Sequence, residues 1–175
     1  MKQPIRVLIL LALTMSGCYN WNGGDPVPYY YPAITAITIS KDSLKKSVHT
    51  SAPSDIHQAG KIYVYKNYLL VVEPLSGIHI FDNSDPHNPT NINFISAPGC
   101  GDIAVKENAL YVDNAIDLVT VDITDPRSPK VTARIEDVFP SLPIPTDRYY
   151  YNILDNPDPT KYVIIGWKDT TVSYR

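Results

Sequence analysis

Residues 117–129 read DLVTVDITDPRSP, and residues 77–89 read GIHIFDNSDPHNP. Both stretches place apolar residues at alternate positions, which is typical of β-strands, and both end in the pattern Asp-x-x-Asp-Pro-x-x-Pro. Proline fixes φ and has no N–H to extend a ladder, so each strand is predicted to end at this turn. The turn aspartates and prolines of the two copies correspond at a constant offset of 40 positions. They are Asp82, Asp85, Pro86 and Pro89 in the first copy and Asp122, Asp125, Pro126 and Pro129 in the second.

The similarity extends outward from these turns. The first copy is preceded by KNYLLVV at 66–72, and the second by ENALYVD at 107–113. Asn67 and Asn108 mark predicted hairpin turns, and they lie 41 positions apart rather than 40. We therefore expect the middle turn of the two copies to differ in length by a single residue.

A period of about 40 residues with about four short strands indicates a propeller blade or a related β-array. We predict an all-β fold, a β-propeller-like array of roughly 40-residue four-stranded units. Two copies are too few for a closed ring, since propellers have four or more blades, so the array is expected to be incomplete or open. The predicted first repeat covers 60–98, the second covers 99–140, and 141–175 forms a partial third β unit.

The segment 33–59 is predicted to hold an N-terminal strand and a short helix. The strand is expected to run from Ala33 to Ser40, where isoleucines alternate with Thr and Ala. Ser40 is expected to cap the helix, with Leu44 and Val48 on one helical face.

The repeated stretches resemble the LVIVD repeat family. Residues 118–122, LVTVD, match the family's name in four of five positions, and 77–82 is a looser copy. The Asp-Pro-x-x-Pro tail also looks like the family's, and the resemblance covers Gly60 to about Pro140. It implies a bacterial or archaeal exported or surface protein with a β-propeller-like body, in a family whose biochemical activity is mostly unassigned.

The amino terminus has the order of a secretory signal. Lys2 and Arg6 precede an apolar run that ends in small residues before Cys18. The run is too short to cross a bilayer, which takes about 20 apolar residues. Because Ser16 and Gly17 directly before a cysteine resemble a bacterial lipobox, we predict a signal peptide at 1–17 and lipidation of Cys18. Residues 18–32, rich in Pro, Gly and Asn, are predicted to form a lipid-attached tether.

Lipidation at Cys18 predicts an anchor in the membrane of the cell envelope without a transmembrane segment. Surface export in some bacteria resembles a rule of acidic residues soon after the lipidated cysteine, and residues 19–22 have none. We therefore favour the periplasmic face of the outer membrane over the cell surface. An ordinary cleaved signal, with Cys18 unmodified, is the alternative.

The charge of the chain argues against nucleic-acid binding. The formal net charge is −3, and the densest basic cluster is only Lys41, Lys45 and Lys46. No field therefore draws phosphates to the chain. The predicted partners are the membrane, through Cys18, and an unidentified envelope protein.

No catalytic pattern is apparent. His49, His57, His79 and His87 have neither the helical i, i+4 spacing nor a compact zinc spacing, so no metal ligands and no cofactor are predicted. The turn aspartates could favour calcium, but the preferred interpretation is that they accept backbone N–H groups and fix the turn. Cys100, between Gly99 and Gly101, is interpreted as a small buried residue in a turn, with a reactive or intermolecular thiol as the alternative.

We therefore expect a non-catalytic, membrane-anchored interaction scaffold. A carbohydrate- or ion-binding module, or an enzyme accessory, on the same scaffold is the alternative. Tyrosine clusters at 29–31 and 149–151, with Trp21 and Trp167, are the residues that could stack on sugars.

Overall fold

The computed structural model describes residues 29–145 and 152–174. The chain divides into two compact units. The larger is Tyr31–Val172, and the smaller, Met1–Tyr30 with Ser173–Arg175, falls almost entirely outside the described residues. The predicted signal peptide, Cys18, Trp21 and the tyrosines at 149–151 also lie outside them.

The described residues form twelve strands and one short helix, which confirms the all-β prediction. In chain order the elements are β1 (Tyr29–Ser40), α1 (Lys41–Leu44), β2 (His49–Ser51), β3 (Ile62–Tyr65), β4 (Tyr68–Glu73), β5 (Gly77–Asp82), β6 (Thr90–Ser96), β7 (Ile103–Lys106), β8 (Ala109–Asn114), β9 (Asp117–Asp122), β10 (Lys130–Ile135), β11 (Asn152–Ile153) and β12 (Tyr162–Tyr174).

Each predicted repeat is an antiparallel sheet of four consecutive strands. The second repeat has the order β10-β9-β8-β7. The first has the equivalent order β6-β5-β4-β3, with β2 added beside β6 as a fifth strand. The described sheets do not close into a ring, as predicted.

The lengths of the hairpin turns explain why the two repeats are offset by 41 positions at Asn67 and Asn108 but by 40 at the Asp-Pro turns. The first hairpin turns at the same place in both copies, where Lys66 and Glu107 have φ angles of 53° and 56°. The middle turn has three residues, 74–76, between β4 and β5 but only two, 115–116, between β8 and β9. The single-residue difference predicted from the offsets is therefore confirmed.

A β-bulge recurs in the last strand of each repeat. Pairing of β5 with β6 skips Ile92, and pairing of β9 with β10 skips Thr132, its equivalent 40 positions later. Because a bulge increases the local twist of a strand, both sheets are bent at the same point. The two repeats are thus similar in backbone detail as well as in sequence.

The main hydrophobic core lies between the two repeats and is shared by them. Its fully buried side chains come from both sheets, with Leu70, Val72, Ile78 and Ile80 from the first repeat and Leu110, Val112, Val119 and Val121 from the second. One face of each sheet is therefore covered by the other repeat, and this explains the alternation read in the sequence.

The carboxy-terminal segment does not form a third repeat of the predicted kind. Instead β12 lies beside β1 in a sheet ordered β11-β1-β12, and β1 is parallel to β11, with Ala33 opposite Asn152. An edge strand forms backbone hydrogen bonds with whichever strand the tertiary structure brings beside it. Because such a partner can be distant in the chain, the local sequence does not predict it.

The N-terminal segment also differs from its prediction. β1 begins at Tyr29, four residues earlier than expected and within the predicted tether. α1 is a single turn, whose N-cap Ser40 accepts a hydrogen bond from the Ser43 N–H at 3.1 Å. Leu44 is buried against Ile116 and Val163, whereas Val48 lies beyond the helix, in the core shared by the repeats. Within the described residues, no helix is long and apolar enough to cross a membrane.

Candidate functional site

The predicted turn residues act on their own backbone in both repeats. Asp82 Oδ1 accepts the N–H of Ser84 at 3.0 Å, and Asp122 Oδ1 accepts the N–H of Thr124 at 2.8 Å. Hydrogen bonds from the hydroxyl and the N–H of these residues lower the pKa of both aspartates below the ordinary value. Such side-chain-to-backbone bonds fix a turn.

The second aspartate of each turn makes the same type of bond. Asp85 Oδ1 accepts the His87 N–H, and Asp125 Oδ1 accepts the Arg127 N–H, each at 3.0 Å. The carboxylates thus hold the turn together, in line with the interpretation preferred from sequence. In 29–145 and 152–174, no three His, Cys, Asp or Glu side chains come together in a way that could hold a metal ion.

The prolines of the two turns differ in burial. Pro126 and Pro129 are buried, whereas Pro86 and Pro89 are exposed. The prolines of the second turn are buried because the turn packs on the sheet of the first repeat, where Asn93 Nδ2 donates to Pro126 O at 3.0 Å and Thr50 Oγ1, on the added strand β2, donates to Pro129 O at 3.2 Å. In the described residues, nothing equivalent covers the first turn.

Polar contacts surround the core between the repeats. The Tyr65 hydroxyl donates to Asn108 Oδ1 at 2.7 Å. Lys61 and the Tyr63 hydroxyl both donate to Asp102, and these hydrogen bonds lower the pKa of that carboxyl. An ion pair joins Arg127 of the second repeat to Asp82 of the first.

The two repeats pack head to tail, so that unlike faces meet. The face of the second repeat that packs on the first consists of Ile103, Val105, Leu110, Val112, Val119 and Val121. Their equivalents in the first repeat are Ile62, Val64, Leu69, Val71, His79 and Phe81, which lie on the side of its sheet away from the second repeat. This side of the first repeat thus corresponds to the side of the second repeat that is buried. In the described chain, however, no repeat packs on it.

Part of that side is covered by the segment 52–60, which crosses the sheet from β2 to β3. Ser54 O accepts Asn91 Nδ2 at 2.9 Å, and the Gly60 N–H donates to Val72 O at 2.8 Å. The crossing segment leaves Ile62 60% and Val64 75% exposed, and Leu69 and Phe81 are only half-buried. We call these four residues the exposed face of the first repeat.

Beneath the crossing segment is a buried acid–histidine pair that the sequence did not reveal. His79 Nε2 lies 2.6 Å from Glu73 Oε2, and His79 is fully buried. Burial by itself raises the pKa of Glu73, but hydrogen bonds from His79 and from the backbone N–H of His57 and Gln58 outweigh it and leave the pKa below its ordinary value. The ring of Phe94 packs on His79 with centroids 4.6 Å apart.

A second buried polar cluster lies at the equivalent end of the second repeat. Arg134 Nη1 donates to Asp117 Oδ2 at 2.6 Å and to Asn114 Oδ1 at 2.9 Å. Asn114 in turn donates to Pro98 O at 2.7 Å, in the link between the repeats. These hydrogen bonds join Arg134 on β10 to the turn between β8 and β9, and they join that turn to the segment that links the two repeats.

The cysteine, the histidines and the tryptophan considered in the sequence analysis lie in different surroundings. Cys100 is fully buried, and burial raises the pKa of its thiol far above the ordinary value. His49, His57 and His87 are exposed. Trp167 lines an apolar cleft of about 500 Å³, and its indole N–H donates to Pro143 O at 2.9 Å.

The outward face of the second repeat carries a shallow groove of about 220 Å³. Ala104, Tyr111, Leu118 and Phe139 line it, together with the carboxylates of Asp102 and Asp113. Ile135, beside Leu118 in the same sheet, is 60% exposed. We call Ala104, Tyr111, Leu118 and Ile135 the outward face of the second repeat.

Comparison with known proteins gives one match. The model of the LVIVD repeat matches residues 57–94 and residues 100–137. The chain carries two LVIVD repeats. The predicted resemblance to LVIVD repeats is thereby confirmed, and the two matched ranges contain the turn motifs at Asp82 and Asp122 together with strands β3 to β5 and β7 to β10. No curated protein and no solved structure matches the chain.

Proposed function

We propose that this LVIVD-repeat protein is a lipid-anchored envelope protein that presents a non-catalytic, β-propeller-like interaction scaffold. The scaffold role is supported most by the exposed face of the first repeat, because its equivalents in the second repeat form an internal interface. Isolated exposed apolar residues are common, but here they lie side by side on neighbouring strands, as at protein interfaces.

The anchor rests on the sequence around Cys18. A positively charged start, an apolar run and small residues precede the cysteine. Each buried methylene of an acyl chain contributes about 0.8 kcal/mol, so two or more chains hold a protein firmly on a bilayer. The periplasmic face of the outer membrane is our proposed location.

We propose that the protein is not catalytic because three of its carboxylates are already engaged in hydrogen bonds within the fold. Asp82 and Asp122 are engaged by their own turns, and Glu73 is engaged by His79 beneath the crossing segment. These carboxylates stabilise the fold rather than face a substrate.

Metabolic labelling with a fatty acid tests the anchor. We expect label on the native chain and none on a Cys18→Ala variant, because the cysteine thiol is the proposed attachment point. Cys100→Ala is the matched control and should keep the label, since the Cys100 thiol is buried. A native chain without label would overturn the anchor.

Protease accessibility on intact cells tests the location. Protection in intact cells, followed by digestion after the outer membrane is permeabilised, is expected for the periplasmic face. Digestion in intact cells would place the protein on the surface instead.

A further inference from the structure

We propose that the exposed face of the first repeat is a docking site for a second copy of this chain, which presents the outward face of its second repeat. The contact would repeat, between two molecules, the head-to-tail packing of the two repeats within one molecule. The proposal deepens the scaffold function and rests on it, but it does not depend on the lipid.

The geometry of the first repeat supports a repeat as the occupant. Ile62 and Val64 correspond to Ile103 and Val105, and the latter two are buried or half-buried against the first repeat. Both pairs lie on the first strand of a repeat and point to the same side of its sheet. The exposed turn prolines, Pro86 and Pro89, also correspond to residues that a neighbouring repeat covers. The part of this side that the crossing segment leaves open therefore continues the pattern of an existing interface.

The outward face of the second repeat offers matching apolar surface. Tyr111 and Leu118 are half-buried, and Ile135 is largely exposed. The groove of about 220 Å³ beside them has the size for an aliphatic side chain such as that of Val64. Asp113 and Thr120 make this face more polar than its equivalent in the first repeat, where Val72 and Ile80 occupy the same positions.

Charge at the rim also favours a second copy. Within the chain, Asp82 of the first repeat pairs with Arg127 of the second. Between copies the equivalent positions hold Asp122 and His87, so a carboxylate again faces a side chain that can donate a hydrogen bond to it. Asp102 of one copy takes the position that Lys61 has within the chain, and Lys61 of the other copy takes the position of Asp102. The contact between copies therefore brings no like charges together at this point.

The number of repeats explains why the partner is a copy. Two copies contribute four LVIVD repeats, and four blades are the smallest number usual in propellers. A heterologous contact of this kind forms a ring when its rotation closes, and an open filament when it does not. A closed dimer leaves neither apolar face in contact with water.

Light scattering on the full chain in a mild detergent, corrected for the detergent, tests the assembly. We expect the polypeptide mass of a dimer that dissociates on dilution. A monomer at every accessible concentration would overturn the proposal. A Cys18→Ala variant should assemble as the native chain does, so a failure of the anchor and a failure of docking are distinguishable.

Two variants test the faces separately. Val64→Glu should raise the dissociation constant about 100-fold, because docking would bury an unpaired carboxylate. Ile135→Asp should act similarly from the other side. Ile153→Glu, at a 50% exposed position on the third sheet, is the matched control and should leave the mass unchanged. All variants should keep the native circular dichroism.

Mixing the variants separates head-to-tail docking from a symmetric contact. Each variant keeps one intact face, so an equimolar mixture of Val64→Glu and Ile135→Asp should form a heterodimer although each is monomeric alone. Dimerisation of Ile135→Asp by itself would show a symmetric contact of the first repeat and would overturn the proposal. Loss of vesicle binding in a monomeric Val64→Glu variant would assign the face to lipid and would also overturn it.

Discussion

At the scale of single residues, the Glu73–His79 pair makes stability depend on pH. The pKa of Glu73 is lower in the folded chain than its ordinary value of 4.5. The unfolded chain therefore binds more protons near this pH, and acid favours unfolding. The stability that Glu73 contributes is present above about pH 4.5 and is lost as the pH falls through the lowered folded value.

Glu73→Gln should lower the free energy of unfolding at pH 7 by about 1–3 kcal/mol, because it removes a charge-assisted hydrogen bond to a buried imidazole. It should also weaken the acid dependence, which urea denaturation at pH 7 and pH 4 measures. Glu107→Gln, at an exposed turn, is the control and should behave as the native chain. An acid dependence unchanged in Glu73→Gln would show that the pair is not responsible.

The buried thiol of Cys100 should be inert in the folded protein. Reaction with a thiol reagent requires the thiolate, and burial raises the pKa of this group. We expect no thiol to react in native lipidated protein and one to react in denaturant. Fast labelling of the native Cys100 would contradict its placement in the core.

The roles of some residues were predictable and those of others were not. Asp82 and Asp122 stand before Asp-Pro turns, and the bonds they make are local, so sequence sufficed to assign them. Glu73 lies six residues from His79, and its partner depends on how β4 and β5 pair and on what crosses above them. Burial of that pair is a property of the tertiary structure.

At the scale of elements, hairpins were predictable because their turns carry strong local signals. The strands from β3 to β6 and from β7 to β10 follow the turns read in the sequence. By contrast, β2 pairs with β6 across 43 to 47 residues, and β1 is brought beside β12 from the far end of the chain. Such pairings depend on which sheet edges lack a neighbouring strand in the folded chain. The β-propensity of a segment does not predict which strand it pairs with.

Gly77 fixes the start of β5 after the longer middle turn. Its φ angle is 153°, and an added Cβ would lie 2.1 Å from Ile95 O. Gly77→Ala should therefore destabilise the chain by about 2–4 kcal/mol. Gly101→Ala is the control, since its added Cβ meets only Asp113 Oδ2, at 3.4 Å, and thermal unfolding compares the two variants. Equal melting temperatures would contradict the close approach of β5 and β6.

At the scale of the whole molecule, the two repeats share one core and should unfold together. Most of its side chains belong to opposing faces of the two sheets, so neither repeat buries its apolar residues alone. Repeat proteins obtain much of their stability from such neighbour interfaces.

Leu110→Ala should test this cooperation. The side chain is fully buried in the second repeat, and its loss should cost about 2–5 kcal/mol. Hydrogen exchange should show reduced protection of β4 and β5 in the first repeat as well as of β8 and β9. Ile153→Ala, at a 50% exposed position on the third sheet, should change neither set. Loss of protection confined to the second repeat would mean that the repeats fold independently.

In the proposed assembly, the first LVIVD repeat leaves open a face that receives a repeat of a second copy. Photo-crosslinking in living cells, with p-benzoylphenylalanine in place of Val64, tests it most directly. We predict a covalent dimer of the chain in which mass spectrometry places the link near Tyr111 or Leu118 of the second copy. A chain that remains uncrosslinked, or a link to the first repeat of the second copy, would contradict the claim.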